Sequence, residues 1–202
     1  MNIADHTVYG LLWLSFGIVH SLLAGETAKR RLRPWLGDGY RLAYNGFATL
    51  HLALIWLGGR ALVGSDPADL GLPEVAQTVL TVLRWAGLLI IVAGLLQYDL
   101  GRFSGLTQLF SAARGRPGSE DEALHVTGLH RYLRHPLYAG AYLYLWGGVD
   151  NEFQLATAVW ASAYLAIGAR LEENRLVVLY GASYQEYRER VPSLIPWRGR
   201  AY

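Results

Sequence analysis

Apolar residues fall into five long runs, near residues 7–24, 42–63, 82–100, 136–149 and 153–169, and polar residues collect between them. The first three runs have about the length a helix needs to cross a hydrocarbon layer of roughly 30 Å. The fourth is short, reaching only about 21 Å at 1.5 Å per residue. It predicts either an earlier start near Thr127 or a hairpin with the fifth run that stops before the far side. Only Asp150, Asn151 and Glu152 separate runs four and five, so these two are expected to be antiparallel neighbours. Over 171–190 and just beyond, Leu176, Tyr180, Tyr184, Tyr187 and Val191 recur at three-to-four spacing. That spacing gives one stripe on an amphipathic helix, lying along the membrane surface or capping the bundle. The pattern predicts an all-α integral membrane protein forming one domain over residues 1–202, with about five transmembrane helices and a C-terminal amphipathic cytoplasmic helix.

Composition agrees with a bilayer. Only 17% of residues are charged and 52% are hydrophobic, whereas a soluble domain carries about a quarter charged residues. Sixteen of the 18 Lys and Arg alternate to one side: Lys29 to Arg41 after run one, Arg102 to Arg134 after run three, and Arg170 to Arg200 after run five. Arg60 and Arg84 remain on the other side. With five crossings, the positive-inside rule sets the N-terminus outside and the C-terminus in the cytoplasm, with a bacterial inner membrane as the expected location. The N-terminal MNIADHTVYG lacks the positive start of a secretory signal, so run one is expected to stay in the mature protein. Cysteine is absent, which excludes disulfides, thiolate metal ligands and a cysteine nucleophile. No nucleic-acid motif is present, and orientation and anionic lipid account for the arginine blocks. The polar stretch 111–123 reads as a mobile cytoplasmic loop, either a lid or a plain linker.

Ionisable groups inside a bilayer are costly and point to function by default. Run one carries His20 and Ser21, run two Asn45 and His51, and run three ends in Gln97, Tyr98 and Asp99. Arg131, Tyr132, Arg134 and His135 precede run four, and Arg170, Glu172 and Glu173 close run five. Following the crossings, His20, Asn45, Asp99, His135 and Glu172 share the cytoplasmic half, with His51 deeper. Each residue alone has a plainer role. His20 or Asn45 would bond a neighbouring helix, Arg131 and Arg134 would set orientation, and Glu172 and Glu173 would pair with Arg170 and Arg175. His125, His130 and His135 repeat every five residues, off any single helical face, so no metal site is assigned.

The combination is more specific. Arg134-His135-Pro136-Leu137-Tyr138-Ala139-Gly140 resembles the RHPxYxG signature of membrane methyltransferases related to isoprenylcysteine carboxyl methyltransferase. Glu172-Glu173, Leu176, Tyr180-Gly181, Tyr184, Tyr187, Val191-Pro192 and Ile195-Pro196 resemble that family's EExxL to IP tail. In the first half, His20-Ser21-Leu22, Arg41, Tyr44, Tyr98-Asp99-Leu100, Gly105-Leu106 and Gln108 are similar to a subgroup holding the NnrU-type proteins, nurim and the methanethiol S-methyltransferases. The resemblance implies S-adenosylmethionine as cofactor at the cytoplasmic face. Arg131 or Arg134 would bind its carboxylate, and Glu172 or Glu173 its ammonium or ribose. Tyr138 and Tyr184 would face adenine or sulfonium, and His135 would sit among free helix N–H groups.

The resemblance also implies a small thiol or sulfide, or a lipophilic acceptor, entering among His20, Tyr44, Asn45, His51 and Asp99. His20, His51 or Asp99 would remove its proton, with Tyr44 and Asn45 as substrate contacts. Two other readings remain open. Sterol-type reductases using NADPH share an RHPxY-like segment, and an NnrU-like membrane protein without catalysis is the third.

Overall fold

The computed structural model describes residues 2–63, 67–114, 124 and 126–198, and these form nine α-helices with no strand beyond one isolated bridge, Asp69 to Asn151. Most of the expected 111–123 loop, and His125, Arg116 and Arg200, lie outside the described residues. The helices are α1 (Ile3–Ala24), α2 (Glu26–Leu36), α3 (Tyr40–Val63), α4 (Glu74–Leu95), α5 (Leu100–Ser104), α6 (Leu106–Ala113), α7 (Pro136–Trp146), α8 (Glu152–Tyr180) and α9 (Ala182–Arg190). Three stretches of the described residues are long and apolar enough to cross a membrane: Ile3–Ala24, a window within Glu26–Val63, and Glu74–Leu95. The chain divides into two compact units, Met1–Pro67 with Tyr98–Glu122, and Ala68–Gln97 with Ala123–Tyr202.

In the first unit α1 packs on α3. Tyr9, Trp13 and Phe16 are buried, while Val8, Leu11, Leu14, Ile18 and Leu22 of the same helix are exposed. Aromatic rings face the neighbouring helix and aliphatic side chains face outward. Water would penalise that outward stripe, whereas lipid tails match it. Asn2 starts α1 with a capping box, accepting from the Asp5 N–H at 2.9 Å while Asp5 accepts from the Asn2 N–H at 2.8 Å.

In the second unit α4 packs on α7 through glycines. A Cβ at Gly140 would lie 2.9 Å from the Gly87 carbonyl oxygen, and one at Gly87 would lie 2.4 Å from the Tyr144 nitrogen. Only glycine lets the two backbones approach this closely. α7 has 11 residues, about 16 Å of helix, roughly half a hydrocarbon layer. It forms an antiparallel hairpin with α8, held where the Tyr142 hydroxyl donates to the Ser162 carbonyl (2.9 Å) and the Trp146 indole N–H to the Ser162 hydroxyl (3.0 Å).

Element limits differ from the hydropathy reading most at α4 and α8. α4 begins at Glu74, so Arg84 lies mid-helix, its guanidinium 5.1 Å from the centre of the Tyr144 ring. α8 runs on without a break past residue 170 and stops only at Gly181, whose φ of 57° no β-carbon residue adopts easily. Hydropathy registers where apolar side chains end, not where backbone bonding does. Beyond that break, Tyr184, Tyr187 and Val191 form a small core with Leu124, Val126, Leu176, Val177 and Tyr180.

Candidate functional site

The second unit gathers titratable side chains at the start of α7. Pro136 occupies its first turn, where the missing N–H has no partner to lose. The hairpin brings Glu172 and Glu173 of α8 level with that turn. Glu173 Oε1 accepts from Arg134 Nε (2.8 Å) and His135 Nε2 (3.0 Å) and is ion-paired with Arg134 Nη2 at 2.7 Å. None of the described residues donates to its Oε2. Glu172 Oε2 stands 3.7 Å from His135 Nδ1 and is half exposed. The Tyr138 ring stacks on His135, with centroids 5.2 Å apart and planes 7° apart.

Arg134 reaches further. Its Nη1 donates to the carbonyls of Arg188 (2.9 Å) and Val191 (2.6 Å). Backbone bonds from Arg134 N to Pro192 O (2.9 Å) and from His135 N to Ser193 O (3.1 Å) run alongside. One side chain therefore clamps the end of α9 and the following segment to the start of α7. These carbonyl partners were not legible from sequence.

Burial alone would raise the Glu173 carboxyl. The bonds from His135 and Arg134, with the Arg134 charge, outweigh it and hold that carboxyl below its ordinary value. Tyr184 is fully buried beside this cluster, and its hydroxyl has no hydrogen-bond partner among the described residues. Burial, reinforced by the Glu173 charge, pushes its phenol up to about 12. It stays protonated at any physiological pH, a neutral donor without an acceptor.

Arg131 ends a short 3-10 turn, Gly128–Arg131, and no hydrogen bond or ion pair among the described residues joins it to the cluster. The turn itself is pinned twice. The Leu129 N–H donates to Gln97 Oε1 (2.8 Å), and the Tyr187 hydroxyl donates to the His130 carbonyl (2.7 Å). Among the described residues no group of three His, Asp or Glu could hold a metal ion.

The remaining candidates lie in the first unit, in two places. Between α1 and α3, the Tyr44 hydroxyl bonds His20 Nε2 at 2.8 Å, and Ser15 Oγ lies 3.3 Å from His51 Nε2. Phe16 sits against both histidines, stacked on His20 at 5.2 Å and edge-on to His51 at 5.6 Å. Asn45 and Asp99 instead serve α5. Asp99 caps its start by accepting from the Arg102 N–H (3.0 Å), and Asn45 Nδ2 donates to the Phe103 (3.0 Å) and Ser104 (3.1 Å) carbonyls. Arg41 and Gln108, which also bond the Arg102 carbonyl, complete this cap. The structure thus pairs His20 with Tyr44 and sets Asn45 and Asp99 on a neighbouring helix end.

Comparison with known proteins gives the cluster a context. The chain is 31% identical over 198 residues to methanethiol S-methyltransferase 2 of Bradyrhizobium diazoefficiens, covering 96% of this chain and 75% of that protein. It is 30% identical over 95 residues to the protein-S-isoprenylcysteine O-methyltransferase of Schizosaccharomyces pombe, covering 44% and 39% of the two chains. Nurim of Xenopus laevis matches at 31% over 174 residues, covering 81% and 59%. The chain belongs to the isoprenylcysteine carboxyl methyltransferase-like family of membrane methyltransferases. No family model and no solved structure matches it.

With three stretches among the described residues long and apolar enough to span, this methyltransferase-family member is an integral membrane protein. Arg134 clamps, His135 bonds the carboxylate, and Pro136 starts the helix. Tyr138 stacks on the imidazole, and Gly140 admits α4.

Proposed function

We propose that the protein is an S-adenosylmethionine-dependent membrane methyltransferase acting on a small thiol or sulfide at the cytoplasmic face. The observation that carries this reading is the convergence of Arg134 and His135 on one oxygen of Glu173, in a chain similar over 96% of its length to a methanethiol S-methyltransferase. The proposed orientation keeps the N-terminus outside and the C-terminus in the cytoplasm of a bacterial inner membrane. In that arrangement α7 and α8 are the fourth and fifth membrane segments, α7 entering only part way. The end of α8 and α9 form the amphipathic cytoplasmic element.

The residues present fit the cofactor. It carries an ammonium, a ribose diol and a sulfonium beside one carboxylate. Glu173 Oε2 and the half-exposed Glu172 are acceptors for the ammonium or ribose. The orphaned Tyr184 hydroxyl is a ready donor. The stacked His135 and Tyr138 rings offer an aromatic face to adenine or sulfonium. Since Arg134 is already committed to Glu173 and to the Arg188 and Val191 carbonyls, Arg131 is the better carboxylate partner and Arg134 a positioning residue. The chemistry this cofactor supplies when bound is an electrophilic methyl group. The chain contributes alignment and exclusion of water. A thiol acceptor would lose its proton to His20, whose ring Tyr44 orients, with His51 beside them and Asp99 held as the α5 cap.

Calorimetry on the purified protein tests the reading by comparing S-adenosylhomocysteine with NADPH. Binding of S-adenosylhomocysteine alone is expected. Binding of NADPH alone would favour a reductase, and binding of neither a non-catalytic protein. Either result would overturn the proposal.

A further inference from the structure

Helix α2 takes part in neither cluster, yet its surface is sharply divided. Ala28, Leu32, Trp35 and Leu36 follow one another at i, i+4, i+7 and i+8, the spacing of a single apolar stripe. Arg30, Arg31 and Arg33 occupy the rest of the circumference, and Lys29 is paired with Glu26 at 2.8 Å. Ala28 is half-buried, whereas the far end of the stripe stands open: Trp35 is 87% exposed, Leu36 44% and Leu32 37%. An exposed tryptophan between two leucines, ringed by arginine, is costly in water.

The neighbours of α2 indicate what covers it. α1 precedes it and α3 follows it, each within a stretch apolar enough to span. The buried Tyr40 side chain donates its hydroxyl to the Leu23 carbonyl, tying the last turn of α1 to the first turn of α3. α2 is therefore held where two membrane helices leave the hydrocarbon, at headgroup level. An amphipathic helix at that level lies in the interface, its apolar stripe in the acyl boundary and its basic side among the headgroups.

We propose that α2 is an interfacial anchor that binds anionic phospholipid headgroups through Arg30, Arg31 and Arg33 while Leu32, Trp35 and Leu36 enter the acyl boundary. Four basic residues against one acidic residue give the helix the charge for this partner. The methyltransferase reading is not required for it.

The full-length protein in nanodiscs of mixed phosphatidylcholine and phosphatidylglycerol provides the test, with retained lipids counted by native mass spectrometry. The wild type is expected to retain phosphatidylglycerol preferentially. That preference should fall about fivefold per arginine removed in R30Q/R31Q/R33Q, the equivalent of roughly 1 kcal/mol per basic residue near an anionic surface. It should also weaken as salt is raised. An unchanged preference in the triple variant, at unchanged helicity, would overturn the proposal. If that variant does not insert, a wild-type preference insensitive to salt would overturn it instead. A wild-type dimer that W35Q converts to monomer would assign the stripe to a second copy and likewise end the lipid reading.

Discussion

A hydroxyl buried without a partner costs about 1–3 kcal/mol, and beside the Glu173 cluster the Tyr184 hydroxyl has no partner among the described residues. Evolutionary tolerance of that cost makes sense if an incoming ligand supplies the missing acceptor. Tyr184→Phe should therefore raise the thermal midpoint of the ligand-free protein by a few degrees. The same change should weaken S-adenosylhomocysteine about tenfold, the loss of one hydrogen bond. Lower ligand-free stability with unchanged affinity would make the hydroxyl structural. Glu173 gives a pH signature. Its folded carboxyl titrates below the ordinary 4.5, so its contribution to stability is complete above that value and disappears as pH falls through the lower folded value. In Arg134→Gln the opposing guanidinium is gone while burial persists, so the carboxyl titrates higher. The thermal midpoint of that variant, followed against pH, should therefore lose less than the wild type does as pH falls below 4.5, because less of its stability rests on the ionised Glu173 carboxylate. Coincident profiles would remove Arg134 from the account of Glu173.

At the scale of elements, the contact between α4 and α7 sets where the signature residues stand. A side chain at Gly140 meets the Gly87 carbonyl and the Ile91 nitrogen at 2.9 and 3.0 Å, backbone atoms that cannot turn aside. Gly140→Val should cost about 3 kcal/mol by overpacking, read as a lowered thermal midpoint. Gly168→Ala in α8 is the control. Its Cβ would meet only the Tyr138 hydroxyl at 3.9 Å, so better helix propensity should leave the protein as stable or more so. Element existence was legible in sequence wherever apolar runs were long, as for α1, α3 and α8, because hydropathy alone reports those. The short reach of α7 and its hairpin with α8 were also readable, from a run of few residues and a three-residue link. The extension of α4 back to Glu74 was not. The apolar run reads as starting at Val82, with Arg84 just inside it, whereas the helix continues back to Glu74 and the long Arg84 side chain reaches the Tyr144 ring. Nor could sequence show that Arg134 bonds the carbonyls of Arg188 and Val191, since main-chain acceptors leave no trace in residue identity.

For the molecule as a whole, the candidates named from sequence divide by role along the same line that divides the chain. Arg134, His135, Tyr138, Glu172, Glu173 and Tyr184 belong to the second unit, whereas His20, Tyr44, Asn45, His51 and Asp99 belong to the first. This separation has a kinetic consequence if donor binding rests on one set and acceptor deprotonation on the other. His20→Ala should leave the affinity for S-adenosylhomocysteine within about twofold while lowering turnover with a small thiol on the order of a hundredfold, the usual contribution of a positioned base. Glu172→Ala should do the reverse to affinity, weakening cofactor uptake at least tenfold through loss of a charge-assisted bond. The acceptor's acidity sharpens the contrast. A thiol already ionised at the assay pH needs no base, so raising pH towards the thiol pKa should restore much of the His20→Ala turnover and none of the Glu172→Ala affinity. If both variants lose cofactor binding equally, the histidine supports the fold rather than the proton transfer. The first unit would then have no assigned chemistry.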